Sequence, residues 1–156
     1  MTPPPTPAKN GTVVLAVLSL KGGVGKTSLV LGLAGAAEQR DIRTLVVDLD
    51  PQANATSALD PEAAPYSISD VLHDGRQGVA ADAVVSSCWG PSVQLIPSER
   101  ALEHRAAETA PGTELRLRTA LTGVATDYQL VLIDCPPNLG ELTRNALYAA
   151  DAALVV

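Results

Sequence analysis

The residues most suited to chemistry lie in one glycine-rich segment. Residues 17–28 read VLSLKGGVGKTS and contain two of the three lysines of the chain, Lys21 and Lys26. Two ammonium groups this close in sequence repel each other unless an anion lies between them or one points elsewhere. Glycines let the backbone turn N–H groups inward, and the free N–H groups of a following helix also favour an anion. The segment therefore predicts a loop that binds phosphate groups.

The residues of this loop have distinct expected roles. Backbone N–H groups from Gly22 to Thr27 would form the anion nest, Lys26 would add positive charge, and the Thr27 hydroxyl can ligate Mg²⁺. The predicted binding residues are Gly22, Gly23, Val24, Gly25, Lys26, Thr27 and Ser28. The alternative is an ordinary glycine-rich turn between a strand and a helix. Two acid-tipped strands elsewhere in the chain favour the phosphate loop.

Three aspartates lie at the ends of apolar runs. Asp134 ends LVLID, and Asp48 and Asp50 belong to VVDLD. A carboxylate at such a place is costly unless it is solvated, paired or close to a cation, so the alternatives are a cap on the next turn or a metal site. Asp48 and Asp50 would face the same side of an extended strand, where Mg²⁺ or a lysine would relieve their repulsion. We expect Mg²⁺ nearby, bound to Asp134 through water.

The elements that must position these residues alternate along the chain. Apolar, β-branched runs predict strands at 12–20, 44–50, 93–98, 128–137 and 152–156. Helices are predicted at 27–40, 67–72, 99–108, 113–125 and 139–150, with a further helix near 79–84 in an ambiguous stretch and turns over 51–65. This alternation predicts an α/β fold with a mostly parallel sheet and helices on both faces. The glycine loop and the three aspartates would then meet at one sheet edge.

Composition limits the classes of protein. The formal net charge is −6, so no general basic field for nucleic acid exists. Cys88 and Cys135 lack metal or disulfide spacing, which favours a reduced, cytoplasmic protein, and no apolar run is long enough to span a membrane. The Pro-rich residues 1–11 predict a flexible tail before a single domain over 12–156.

The loop departs from the general phosphate-loop pattern because Leu20 occupies the position of the first glycine. The variant K-G-G-x-G-K-[ST] resembles the deviant Walker A motif of the ParA/MinD family of dimeric ATPases. Further resemblance lies in VVDLDPQANATS (46–57), LIPSERALE (95–103) and LVLIDCPPNLGELTRNAL (130–147). The resemblance runs from residue 12 to residue 156 and is stronger to ParA partition proteins than to MinD.

The resemblance implies roles for individual residues. Lys21 would cross a dimer interface to the phosphates of the partner subunit, while Lys26 would serve its own subunit. Asp48 would support the metal shell of Thr27 and Asp134, and Asp50 would orient the attacking water. The implied switch residues are Pro51, Gln52, Asn54, Pro136 and Pro137. Asp134 would be the acid of the Walker B motif, and Cys135 follows it. An iron–sulfur protein with this loop type binds its cluster through two cysteines per subunit, but the second has no counterpart here, so Cys135 is expected to be a small buried residue.

The implied function is Mg²⁺-dependent ATP hydrolysis by an ATP-dependent homodimer in chromosome or plasmid partitioning. Implied partners are a ParB-like activator and nonspecific DNA, with no membrane and with a nucleoid-associated location if DNA binding is retained. Family members continue past the equivalent of Val156, so the resemblance implies a fold incomplete at its C-terminal end. The alternatives are a nucleotide-binding switch module, a non-hydrolysing fragment of such an ATPase, and a MinD-like positioning ATPase.

Overall fold

Six strands lie in one sheet in the computed structural model, which describes residues 11–156. They are β1 (Val13–Leu18), β2 (Thr44–Asp48), β3 (Val85–Ser86), β4 (Val93–Ile96), β5 (Leu130–Asp134) and β6 (Ala152–Val155). Their order across the sheet is β3-β4-β2-β5-β1-β6. All neighbours are parallel except β3 and β4, which are antiparallel. The predicted α/β fold with a mostly parallel sheet is thereby confirmed.

Six α-helices connect these strands. They are α1 (Lys26–Glu38), α2 (Asn54–Leu59), α3 (Ile68–Asp74), α4 (Leu102–Ala106), α5 (Arg116–Leu121) and α6 (Glu141–Ala149), with short 3₁₀ helices at Val79–Ala83, Thr113–Leu115 and Ala125–Asp127. Local chemistry sets the bounds of α3. The Ser67 side chain accepts from the backbone of the first turn, Asp70 completes the capping box, and Gly75 ends the helix in a left-handed conformation.

Both faces of the central strands are covered, as predicted from the apolar runs, whereas the edge strand β6 is largely exposed. On one face, Ala16, Val47 and Ile133 pack in a core that also contains residues of α3, α4, α5 and α6. On the other face, Val46 and Leu132 pack in a second core with residues of α1 and α2. Because every residue of β2 is buried, its sequence is apolar without alternation. The two cores hold the central strands β2, β5 and β1 in place.

The structure corrects several predicted elements. A helix, α2, lies in the predicted turn region 51–65, and β3 lies in the ambiguous stretch. The predicted helix at 113–125 is wrong as a single element: only Arg116–Leu121 is α-helical, because Thr122 is extended and Gly123 has a φ of 80°. The helix at 99–108 shortens to α4, and the helix near 79–84 is a 3₁₀ turn.

Two further sequence expectations concern the chain as a whole. The flexible tail was predicted over residues 1–11. Residues 1–10 lie outside the described residues, and Gly11 is an exposed bend. Within residues 11–156, no helix has the length and apolar character needed to cross a bilayer.

Candidate functional site

The topology brings the predicted site residues to one edge of the sheet. β5 lies between β1 and β2, and its last residue, Asp134, is in register with Val17 on one side and with Asp48 on the other. The glycine loop follows β1 directly and leads into α1. The loop, the Asp48–Asp50 segment and Asp134, which lies 108 positions after Lys26, thus meet where three parallel strands end. Ligands of open α/β sheets bind at such edges.

The glycine loop has a conformation that requires glycine at two positions. Gly23 and Gly25 have φ angles of 72° and 92°, in the left-handed region that side chains disfavour. Gly25 precedes α1 and provides no side-chain cap, so the first N–H groups of α1 remain available to bind an anion. The Ser19 hydroxyl donates to the carbonyl of Lys21 at 2.6 Å and thereby closes the start of the loop.

A cavity of about 400 Å³ lies against this loop. It is lined by residues 21–28 together with Asp50, Gln52, Asn54 and Pro137. All seven predicted phosphate-binding residues therefore share one concave surface, and two of the predicted switch segments border it. Asp48, Asp134, Pro51 and Pro136 are not part of the lining; Asp48, Asp134 and Pro136 are buried.

Lys26 lies beneath the loop, buried among acidic groups. Its ammonium group donates to Asp134 Oδ1 and lies 3.9 Å from Asp50 Oδ2. The neighbouring Thr27 hydroxyl donates to Asp134 Oδ2 at 2.8 Å. Asp134 thus binds both residues of the Lys-Thr pair through its two oxygens. A phosphate entering the loop would compete with Asp134 for Lys26, and a metal ion would compete for Thr27.

The buried carboxylates have an excess of negative charge. If Asp48, Asp50 and Asp134 are ionised, their three charges against one on Lys26 leave a formal −2. Burial raises the pKa of Asp134, although the hydrogen bond from Lys26 opposes this rise. Burial also raises the pKa of Asp48 to about 6, against the hydrogen bonds from Thr56. A divalent cation would balance this charge.

The protein oxygens at this site can bind Mg²⁺ only together with oxygens of water and of a bound phosphate group. In the described part of the chain, no three His, Cys, Asp or Glu side chains are placed to hold a metal ion together. The Thr27 hydroxyl and the Asp134 carboxylate are hard oxygen ligands 2.8 Å apart at the cavity. Mg²⁺ commonly takes one or two protein oxygens, with water and substrate phosphates completing its coordination. The residues present fit that mode of binding.

Asp48 and Asp50 differ in environment more than their spacing predicted. β2 ends at Asp48, which is fully buried and accepts the backbone N–H and the hydroxyl of Thr56 at 2.8 and 2.7 Å. Asp50 lies past the strand and lines the cavity. The strand predicted over 44–50 thus ends at Asp48, and the Asp50 N–H donates to Asp48 Oδ1 at 3.2 Å.

Lys21 has surroundings opposite to those of Lys26. It is exposed on the rim of the cavity, beside exposed Leu20 and Val24. Among residues 11–156, no carboxylate lies within ion-pair distance of its ammonium group. The two lysines therefore repel each other little, because Lys26 is paired with Asp134 inside the protein and Lys21 is exposed to solvent.

The turn after Asp134 is tied to both β1 and α6. The Cys135 N–H donates to the carbonyl of Val17, and the Thr143 hydroxyl donates to the carbonyl of Asn138 at 2.7 Å. Pro137 borders the cavity. Cys135 is a buried free thiol whose pKa burial raises to about 12, which confirms the expectation of a small buried residue.

Sequence reasoning assigned no role to Thr56 or Ser98, which contact the acidic residues directly. Thr56 binds Asp48, and the Ser98 hydroxyl donates to the carbonyl of Asp50 at 2.7 Å. Both lie in segments that resemble family motifs, 46–57 and 95–103. The sequence analysis predicted a turn over 51–65 instead of α2. It therefore gave no reason to expect Thr56 in contact with Asp48.

Comparison with known proteins identifies the family. Residues 12–156 match the family model AAA_31, described as an AAA domain. The chain belongs to this family. Among curated members of similar sequence are the sporulation initiation inhibitor protein Soj of Bacillus subtilis, 36% identical over 146 residues, and the chromosome partitioning protein ParA of Myxococcus xanthus, 35% identical over 148 residues. Each match covers 91% of this chain, and 56% and 50% of those proteins.

Solved structures of this AAA domain type agree with the fold. A cobyrinic acid a,c-diamide synthase of Mycobacterium smegmatis, solved with an ATP analogue and magnesium, superposes with a TM-score of 0.83 at 38% identity. The match covers 92% of this chain and 59% of that one. A plasmid partition protein of Borrelia burgdorferi, at 23% identity and a TM-score of 0.81, shares the fold and is covered to 65%. The resemblance to ParA-type ATPases is confirmed, and the chain spans about half the length of the curated relatives.

Proposed function

We propose that this chain binds Mg-ATP in the cavity of the glycine loop and is the nucleotide-binding part of a ParA-like partitioning ATPase. One observation carries the proposal: Lys26 and Thr27, at the start of α1, both contact the carboxylate of Asp134 beneath an anion nest. A strand-end acid bound to the Lys-Thr pair is what a phosphate loop needs to bind a metal-phosphate complex. The relative solved with an ATP analogue and magnesium supports adenine nucleotide as the ligand.

The binding step follows from the groups that line the cavity. Backbone N–H groups of Gly22–Thr27 would donate to the phosphate oxygens, and Lys26 would turn from Asp134 to the phosphates. Thr27 and Asp134 would hold Mg²⁺, Asp134 through water, with Asp48 supporting them from behind. When bound, Mg²⁺ neutralises charge on the phosphates during transfer.

The hydrolytic step requires groups on the rim as well as inside. Asp50 lines the cavity with one oxygen held by the Gln52 N–H at 3.0 Å, and it would orient the attacking water. Lys21, exposed and without an ion-pair partner in residues 11–156, would reach the phosphates of a second subunit in an ATP-dependent dimer. The segments at Pro51, Gln52 and Asn54 and at Pro136 and Pro137 would respond to loss of the terminal phosphate.

The proposed partners follow from the partitioning relatives. The relative named chromosome partitioning protein ParA supports a role in chromosome or plasmid segregation. With this role we propose a ParB-like activator, nonspecific DNA and a cytoplasmic location, which the resemblance of the sequence motifs implies. A second candidate function is a nucleotide-dependent switch that binds ATP without hydrolysing it. Lys21 is exposed and has no ion-pair partner among residues 11–156, so the two candidates differ at this residue: hydrolysis needs a second subunit to place Lys21, and the switch does not.

Calorimetric titration of the 156-residue chain with Mg-ATP tests the proposal. We expect saturable binding that EDTA weakens and that GTP competes for poorly. Absence of heat with Mg-ATP, together with unchanged thermal stability, would exclude the proposed function. Turnover measured in the same samples separates the two candidates, because the switch module binds ATP without releasing phosphate.

A further inference from the structure

We propose that Thr56 and Ser98 are positioning residues that together hold Asp50 in its place at the cavity. We name these two side chains and their hydrogen bonds to Asp48 and Asp50 the clamp. The inference rests on the proposed function, since it concerns the residue that would orient the attacking water. It adds two groups, on α2 and after β4, that do not line the cavity themselves.

The hydroxyl of Thr56 is the centre of the clamp. It donates its proton to Asp48 Oδ2 at 2.7 Å and accepts the backbone N–H of Ser98 at 2.9 Å. One hydroxyl has one proton to donate and two lone pairs, so both bonds are satisfied at once. The N–H of Thr56 donates to the same Asp48 oxygen at 2.8 Å. A valine would keep the shape of Thr56 and lose both hydroxyl bonds.

The side chain of Ser98 completes the clamp at Asp50. Its hydroxyl donates to the carbonyl of Asp50 at 2.7 Å, while the N–H of Asp50 donates to Asp48 Oδ1 at 3.2 Å. Asp50 is therefore held on both sides of its Cα by groups that connect through Thr56. With the backbone fixed, one carboxylate oxygen accepts from Gln52 and the other faces Lys26 at 3.9 Å.

The clamp lies where its bonds are hard to replace. Asp48 is 0% exposed and Ser98 is 7% exposed, so water has little access to substitute for a lost partner. The clamp also joins three separate elements, the end of β2, the first turn of α2 and the residue that follows β4 by two positions. Movement of α2 would therefore be transmitted to Asp50. Hydrogen bonds within a single element would not connect the two in this way.

Two readouts on the full chain test the clamp. The first uses nucleotide-free protein and follows amide hydrogen exchange of Ser98 by NMR. Thr56→Val removes the acceptor of this N–H, and we expect exchange about tenfold faster, while Thr56→Ser restores slow exchange. The matched control is Ser57→Ala on the same helix, because Ser57 is exposed and its hydroxyl has no protein partner among residues 11–156.

The second readout separates positioning from a structural role. Under single-turnover conditions with saturating Mg-ATP, we expect Thr56→Val and Ser98→Ala to lower the hydrolysis rate about tenfold while the Kd for Mg-ATP changes less than about threefold. Thr56→Ser should recover the rate and Ser57→Ala should keep it. Ser98→Ala provides a second test should Thr56→Val fail to fold.

Each outcome decides a different claim. Unchanged Ser98 exchange in Thr56→Val would overturn the clamp itself. Faster exchange with an unchanged hydrolysis rate would reduce Thr56 to a structural residue and overturn its positioning role. A wild-type chain that binds Mg-ATP without turnover would also overturn that role. Failure of the wild-type chain to bind Mg-ATP would instead refute the proposed function, and hydrogen exchange would still report whether the clamp exists.

Discussion

Lys26 and Lys21 lie five residues apart in the same loop, yet the structure gives them opposite surroundings. Lys26 belongs to what we call the inner wall, the cavity-lining Lys26, Thr27 and Asp50 together with the buried Asp134 behind them, where each polar group has a protein partner. Lys21 belongs to the outer rim, residues 20–25, which is exposed. The inner wall is complete within one chain, whereas the rim exposes apolar side chains and a lysine that has no ion-pair partner among residues 11–156.

This difference separates two properties that a phosphate loop can have. Binding depends on the inner wall, whose geometry is already set by β1, β5 and α1 in one subunit. Under the proposed function, the hydrolytic role of Lys21 would depend on a second subunit that holds the rim. Four predictions test this difference between wall and rim.

The largest expected effect is on hydrolysis in Lys21→Ala. A cation supplied by a partner subunit contributes about 10³ or more to the rate of phosphoryl transfer, so hydrolysis should fall by about that factor. The Kd for Mg-ATP of the monomer should change less than about threefold, because Lys21 is exposed at the rim. Phosphate release and calorimetry measure the two quantities. Hydrolysis at the wild-type rate would show that Lys21 has no role in trans.

Lys26→Ala should act on binding itself. Its ammonium group is buried against Asp134 and close to Asp50, so its loss removes a phosphate contact and leaves the acids uncompensated. We expect Mg-ATP affinity to fall about 100-fold and unfolding free energy to fall by about 3 kcal/mol. Calorimetry and urea denaturation are the measurements, with Lys21→Ala as the control. Equal affinities of the two variants would remove the distinction between wall and rim.

Ionisation of the buried Asp48 should lower the free energy of unfolding of the nucleotide-free chain. Burial raises the pKa of Asp48 from 3.8 to about 6, so the folded state binds more protons than the unfolded state between about pH 4 and 6. Ionisation of Asp48 therefore removes stability as the pH rises through that window. Carboxyl ¹³C NMR should give a midpoint near 6, and Thr56→Val should raise it further. A midpoint near 4 would contradict the buried position of Asp48.

The smallest effect compares two glycines of the rim. Gly25 has a φ of 92° and Gly22 has no positive φ, while an added Cβ would meet nothing within 4 Å at either position. Backbone strain alone therefore distinguishes them, and Gly25→Ala should lower unfolding free energy by about 1–2 kcal/mol. Gly22→Ala, the matched control, should stay within about 0.5 kcal/mol. Thermal unfolding measures both, and equal losses would point to a steric effect instead.

The parts of the molecule that were predictable have strong local signals. The apolar, β-branched runs of β1, β2 and β5 favour mostly buried strands, and the glycine loop has glycine at the two positions with positive φ. α2 was missed because its six residues lack a side-chain N-cap and begin after Ala53, at a φ of 55°. Its first turn is instead held by the Asp48 carboxylate from another element. Because Asp48 lies outside residues 51–65, the sequence of that segment alone could not predict this hydrogen bond.

The chemistry of the loop, the acid at the end of β5 and the α/β order of elements were readable from the amino-acid sequence, because glycine conformation and apolar periodicity act over a few residues. The folded chain was needed to show that Lys26 binds Asp134, that Asp48 lies behind Asp50, and that Thr56 and Ser98 connect them. These contacts join residues 2 to 108 positions apart in sequence. They depend on sheet register and on burial, which create the low-dielectric surroundings where each charge needs a particular partner.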